Sequence, residues 1–245
     1  MVKAPSALCH LSACLVWAGA VLGLATAIRS NGVANGLMFA VEALQAARAF
    51  VKQPSGSSVV AVGAAGLGGI LVALGTILPQ YIAYTIYCNG PDGALREWCH
   101  YAVPSIYTYV QDVYWNVGFL RYWTPNQIPL FILAAPVLSL LIVSGYQIFC
   151  KPSSTAAFVS LNHADHRVLI QALAASQAIV GLLALTSYHV QVISRLASGY
   201  AVWYWWIASF LMDKVSQSRG RSIVVFMVMY GGIQAALYSS FLPPA

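Results

Sequence analysis

The sequence predicts an all-α polytopic membrane protein, and three observations predict it. Of 245 residues, 60% are hydrophobic and only 7% are charged, whereas a soluble domain carries about 25% charged residues. Only six residues are acids: Glu42, Asp92, Glu97, Asp112, Asp165 and Asp213. The apolar residues gather into runs of the length that crosses a bilayer, about 20 residues per helix. So few charges exclude a soluble enzyme and a disordered tail. The net charge of +6 comes without a basic run. The bases flank apolar spans, where positive-inside sorting accounts for them, so no nucleic-acid partner is expected.

Residues 7–28 form the first apolar run. It follows Lys3 and ends in Ala25-Thr26-Ala27, so a cleaved signal peptide is the alternative to a span. The run is long for a signal, and His10 and Ser12 near its start are polar. Residues 33–51 are less apolar. There Glu42, Gln45 and Arg48 fall at steps of three, on one helical face. That spacing predicts an amphipathic helix at the membrane interface, with a tilted span as the alternative. Pro54-Ser55-Gly56-Ser57-Ser58 then breaks the chain.

Residues 59–87 form a long Gly-rich span. Gly63, Gly66, Gly69 and Gly75 are expected to let a neighbouring helix approach closely. Pro79 is expected to kink its far end, where Tyr81, Tyr84 and Tyr87 gather as interfacial aromatics. Residues 88–127 are the longest polar stretch, and further spans are expected at 128–149, 168–189, 196–212 and 222–241. About six transmembrane helices plus one amphipathic helix thus form a single integral membrane domain over residues 1–245. No internal repeat is visible.

Lys and Arg set the sidedness. With the aromatic loop 88–127 outside, the inside segments carry Arg29, Arg48, Lys52, Lys151, Arg167, Lys214, Arg219 and Arg221. The outside segments carry only Lys3, Arg96, Arg121 and Arg195. Eight against four places the loop on the lumenal side, with both termini outside.

No P-loop, CxxC, GxGxxG or HExxH occurs, and no cofactor or metal is expected. His163 and His166 flank Asp165 in a short loop on the basic side, which reads as a solvated loop rather than a metal site. Five cysteines, an odd number, argue against a disulfide scaffold. Cys9 and Cys14 fall in the first span. Cys88 and Cys99 bracket a short stretch of the outside loop, where a purely structural disulfide is open to them in an oxidising lumen.

Two stretches can carry chemistry. The first is Trp98-Cys99-His100-Tyr101, Pro104-Ser105-Ile106-Tyr107 and Asp112-Val113-Tyr114-Trp115-Asn116-Val117-Gly118-Phe119-Leu120-Arg121-Tyr122-Trp123. Rings beside Asp, Asn, Gln and Arg suit carbohydrate, because rings stack on sugar faces and polar groups bond hydroxyls. An aromatic belt with loop packing explains the same composition. The second stretch is His189-Val190-Gln191-Val192-Ile193-Ser194-Arg195-Leu196-Ala197-Ser198, ahead of Tyr204-Trp205-Trp206. An Arg fork with Ser donors at a membrane rim suits a lipid phosphate, and a snorkelling Arg at a turn is the alternative.

The block Tyr114-Trp115-Asn116-Val117-Gly118-Phe119-Leu120-Arg121-Tyr122 resembles one in the GPI mannosyltransferase 2 family, the PIG-V type. Trp98-Cys99, Pro104-Ser105-Ile106-Tyr107 and Arg29-Ser30-Asn31-Gly32 are similar as well. So are His189-Val190-Gln191 with Arg195, Tyr204-Trp205 and Phe241-Leu242-Pro243, in the same order along nearly the whole chain. The resemblance implies a multi-pass endoplasmic-reticulum glycosyltransferase (a hexosyltransferase) of the GT-C type. It implies dolichyl phosphate mannose as donor and the GPI precursor glycolipid as acceptor of a second, α-1,6-linked mannose. A small accessory membrane subunit is a further implied partner. Family members are roughly twice as long, so the resemblance covers their C-terminal half. The acidic residue such enzymes place in their first lumenal loop has no counterpart here. A catalytically inactive truncated form, a structural membrane subunit and a lipid or solute transporter are the competing readings.

An inverting transfer needs a base near the acceptor hydroxyl and cations near the leaving phosphate. Asp112 is the best-placed carboxylate for the base, with Glu97 second. Arg195 and Arg121 are the candidates for the phosphate. His189 and Gln191 are expected to assist binding, and Tyr114, Trp115 and Asn116 to line a glycan cleft. These roles follow from chemistry and sidedness.

Overall fold

A computed structural model describes residues 5–89, 96–152 and 164–240. Lys3, Asp92, His163 and Phe241-Leu242-Pro243 lie outside the described residues, as do the side chains of Cys9, Asp165 and His166. The chain divides into two compact units, Met1–Gly118 and Phe119–Ala245. The boundary falls inside the aromatic loop.

In the first unit α1 (Pro5–Ile28), α2 (Gly36–Lys52) and α3 (Gly56–Tyr87) pack together. A 3-10 segment, Ser30–Asn35, joins α1 to α2. The first apolar run is thus one helix packed along α3. Ser55 caps α3 by accepting from the Ser58 N–H at 3.3 Å, a standard remedy for orphan donors at a helix start. The helix continues through Pro79 to Tyr87.

Lipid tails are as apolar as leucine, so helices in a bilayer associate by close packing rather than by burial from water. Gly19 and Gly23 of α1 form the small-residue stripe that allows it. A Cβ on Gly19 would lie 2.5 Å from the Gly68 Cα of α3. One on Gly23 would meet the Leu71 carbonyl oxygen, and one on Gly75 the Gly23 carbonyl oxygen. The expectation for the α3 glycines therefore needs correction. Gly75 is at the contact, and so is Gly68. Gly63 and Gly66 have nothing within 4 Å, and Gly69 meets only Phe39 at an ordinary 3.4 Å.

The amphipathic segment is α2, and its 17 residues place it outside the helices long and apolar enough to cross a membrane. Phe39 is its buried anchor and sits over Gly68. The polar stripe winds round the helix, with Glu42 and Gln45 half-buried and Arg48 exposed.

The second unit holds α5 (Ile128–Cys150), α6 (Ala164–Thr186), α7 (Val192–Leu196), α8 (Val202–Met212) and α9 (Gln217–Ser240). The first unit also has a short α4 (Ile106–Val113) after its polar stretch. Four helices among the described residues are long and apolar enough to cross a membrane: α3, α5, α6 and α9. The apolar part of α1 that is described is shorter. The span expected at 196–212 is broken. The chain makes α7, a 3-10 turn at Ala197–Gly199 and an extended Tyr200, and only then α8. Ser198 and Gly199 are poor helix formers, and the Ala197 carbonyl accepts from Trp203 Nε1 at 2.8 Å, which holds the break. The 11 residues of α8 reach about 16 Å at 1.5 Å each.

In this unit α5 and α6 meet along Gly145, where a Cβ would lie 2.9 Å from the Ala174 carbonyl oxygen. A polar clasp lies beside that contact. Gln177 is fully buried; its Nε2 donates to the Leu141 carbonyl at 2.9 Å and to Ser144 Oγ at 2.8 Å. Its Oε1 accepts from the Trp203 N–H at 3.2 Å, which is an orphan donor in the first turn of α8. One amide therefore ties α5, α6 and the start of α8 together. Gln177→Leu is expected to cost about 1–3 kcal/mol, because the Trp203 N–H is left buried without an acceptor. Thermal unfolding in detergent measures it, and an unchanged midpoint would show that the clasp is dispensable.

Candidate functional site

In the first unit the polar stretch is held by several ties. Cys88 and Cys99 are disulfide-bonded, with Cα atoms 5.8 Å apart. Trp98 is buried beside the bridge, and the Arg96 guanidinium lies 4.9 Å over the Tyr87 ring. Gln80 of α3 offers Oε1 to the Ser105 hydroxyl at 3.0 Å and to the Tyr107 N–H at 3.1 Å. Ser105 in turn caps α4, accepting from the Thr108 N–H at 3.2 Å. Ser30 donates to the Tyr107 hydroxyl at 2.8 Å. The Arg29–Gly32 turn and the Pro104–Tyr107 turn, 77 residues apart in their linked side chains, are thus one assembly.

This frame presents α4 and the turn after it. Tyr101, Tyr109 and Tyr114 form a chain of rings with centroids 6.3 Å apart at each step. The Tyr109 phenol is raised above its usual pKa, first by partial desolvation and then by the negative field of Glu97. Asp112 is exposed in the last turn of α4, followed by exposed Tyr114, Trp115 and Asn116. Asn116 has φ of 49°, and the Val117 N–H closes the turn on the Gln111 carbonyl at 2.8 Å. Asn tolerates that left-handed geometry better than most residues. The four predicted residues form one exposed, aromatic-rich edge with a single carboxylate.

In the second unit the continuation of the same block is structural at its core. The Leu120 N–H donates to the Thr186 carbonyl at 2.6 Å, and Trp123 Nε1 to the Leu185 carbonyl at 2.8 Å. Both acceptors belong to the last turn of α6, whose carbonyls lack helical partners. Leu120 adopts φ of 58° to reach its acceptor. Tyr122 is buried, edge-on to His189 at 4.4 Å, and burial raises its phenol pKa. Trp123 stacks on Phe131 at 4.2 Å. Arg121 is exposed. His189 and Gln191 are half-buried in the connection from α6 to α7, so His189 packs the Tyr122 ring and neither residue lines the Arg195 cavity.

Arg195 borders an open cavity of about 360 Å³ lined by residues of α5, α7, α8 and α9 and of the turn between α7 and α8. Its rim carries Ser194, Ser198 and Tyr204, and its depth carries Val137, Met227, Tyr230 and Gln234. The serines do not act as the expected donors. Ser194 donates to the Gln191 carbonyl at 2.9 Å and Ser198 to the Arg195 carbonyl at 3.1 Å. Arg195 is therefore the rim's cationic donor. Beyond the rim, Tyr200 is desolvated by burial, and with Tyr188 nearby its phenol pKa is pushed up to about 12. A cation over an apolar cleft suits an anionic head with a hydrocarbon tail.

Sequence reasoning missed Gln234 and Tyr230. Polar residues one turn apart inside an apolar run are the signal that could have found them. A larger cavity, about 800 Å³, lies toward the C-terminal end of α5, between Tyr146, Lys151, Trp206 and Asp213. The Asp213 carboxyl there has a lowered pKa, held chiefly by the Ser216 hydroxyl and then by the Val215 N–H. That carboxylate is engaged in its own turn.

A model of the family described as "Mannosyltransferase (PIG-V)" matches residues 3–245. GPI mannosyltransferase 2 of Gibberella zeae is 50% identical, over 94% of this chain and 55% of its own length. The protein of the same name in Aspergillus fumigatus is 44% identical, over 94% of this chain and 55% of its own. That of Drosophila melanogaster is 32% identical over 67% and 40%. The chain spans about half the length of the curated relatives it matches. No solved structure matches.

Proposed function

Because this chain belongs to the PIG-V mannosyltransferase family, we propose that it works in GPI-anchor assembly as part of a mannosyltransferase. The enzyme moves the second mannose, in α-1,6 linkage, from dolichyl phosphate mannose to the GPI precursor. The site faces the lumen of the endoplasmic reticulum in a multi-pass protein of the GT-C type. The observation that carries this reading is the cavity at Arg195, a guanidinium at the mouth of a largely apolar cleft between helices.

In the reaction an acceptor hydroxyl attacks C1 of the mannose. The bond from C1 to the phosphate oxygen breaks, and dolichyl phosphate leaves with that bond's electron pair. Arg195 stabilises the charge that grows on the leaving phosphate, with Arg121 a second cation on the loop. In the first unit, taken by itself, Asp112 is the carboxylate suited to take an acceptor proton, and Tyr114, Trp115 and Asn116 are the groups suited to stack on and bond a glycan. His189 and Gln191 act from further off by setting the shape of the α6–α7 connection.

Complementation of cells lacking the second GPI mannosyltransferase tests the proposal, using the 245-residue chain alone and again with the upstream half of a relative. Restored transfer by either form supports it; failure of both overturns it in favour of a structural subunit. In the active form, Asp112→Asn is expected to lower transfer about a hundredfold. Full activity in that variant would exclude Asp112 as the base.

A further inference from the structure

We propose that Gln234 reads the sugar of the glycosyl-phosphate lipid whose phosphate lies at Arg195, an inference that rests on the donor-site reading above. Gln234 is 7% exposed. Its Nε2 donates to the Tyr230 hydroxyl at 2.6 Å and more weakly to the Leu133 carbonyl at 3.4 Å. The Tyr230 hydroxyl spends its own proton on that carbonyl, at 2.6 Å. Tyr230 can then accept only from the amide nitrogen, which fixes which end of the Gln234 amide is which. The end left over is Oε1, a buried acceptor with no donor among the described residues.

Such an acceptor is costly to keep unless something arrives to serve it. Gln234 lines the same cavity as Arg195. A ligand that satisfies both carries an anion and, a short distance away, a hydroxyl donor. A hydroxylated ring on a phosphate has both; a bare polyprenyl phosphate has only the first. At about 360 Å³ the cavity falls at the small end of small-molecule sites, fit for a head group whose tail leaves along the apolar helices. A site built to bond a hydroxyl rejects a ligand that lacks one, because its own polar atom is then stranded.

The test measures binding of dolichyl phosphate mannose and dolichyl phosphate to the purified chain in nanodiscs, followed by native mass spectrometry. The mannosylated lipid is expected to bind about tenfold tighter. Gln234→Met removes the acceptor and brings the ratio to about one, leaving the affinity for dolichyl phosphate unchanged. Gln234→Glu keeps an acceptor oxygen and keeps the preference. If Gln234→Met does not fold, Tyr230→Phe takes its place: it frees the amide from its anchor and shrinks the same ratio. Arg195→Gln weakens both lipids. If it weakens neither, the donor-site reading fails; if it weakens both while the ratio survives Gln234→Met, only the role of Gln234 is overturned. A Gln234-dependent preference for phosphatidylinositol over phosphatidic acid, absent for the mannosylated lipid, would equally overturn the assignment to the donor.

Discussion

Arg195→Gln, made in whichever form restores transfer, is expected to lower mannose transfer by about a thousandfold, the upper range for losing one preorganised donor to a developing anion. The size follows from the surroundings. Arg195 is the cationic donor at the mouth of its cavity, and the neighbouring serine hydroxyls already donate to backbone carbonyls. Among the described residues of that rim, no second cation replaces the guanidinium. Arg195→Lys keeps the charge and loses the fork, so it should recover only part of the rate. Transfer assays on microsomes with labelled donor measure both. If the side chain merely snorkels, neither variant changes transfer while both stay folded, and the phosphate role is wrong.

Gly75→Ala is expected to destabilise the first unit by about 3 kcal/mol, the heavy end of small-to-large changes. The added carbon would meet the Gly23 carbonyl oxygen and lie 2.9 Å from Thr26 Cβ. Both atoms belong to α1; the first is backbone and the second lies in a stiff β-branched side chain, so no rotamer change relieves the contact. The matched control is Gly63→Ala on the same helix, with nothing within 4 Å. It should be neutral or gain up to about 1 kcal/mol from helix propensity. Unfolding of both variants in detergent decides it. Equal midpoints would mean that α1 and α3 do not depend on their glycine contact.

These two cases show where sequence reading succeeds and where it stops. The long apolar helices were legible because hydropathy over 20 residues averages out local detail; α3, α5, α6 and α9 all lie where runs of apolar residues place them. Which glycines face a partner was not legible, because all four named positions look alike until α1 supplies Gly19 and Gly23. The break at Gly199 and Tyr200 was hidden for a similar reason: its stabilising bond comes from Trp203, an apolar-looking residue in the hydropathy count. Arg195 could be picked out as a charge at a span end. Gln177 could not, since its importance lies in a partner 33 residues away; Gln234 and Tyr230 left a signal in their spacing, but the partner that gives it meaning, Leu133, is 101 residues from Gln234.

The capping of α6 by the loop before α5 also bears on how the chain is made. Trp123 leaves the ribosome 62 residues ahead of Leu185, whose carbonyl it serves, and Leu120 precedes Thr186 in the same way. The loop has to wait, unfastened, while α5 and then α6 enter the bilayer. Only when the end of α6 emerges on the loop's side do both find each other. The two bonds therefore close only once the α5–α6 hairpin is complete: a chain in which just one of the two helices crosses leaves the end of α6 and the loop on opposite sides, the first uncapped and the second undocked.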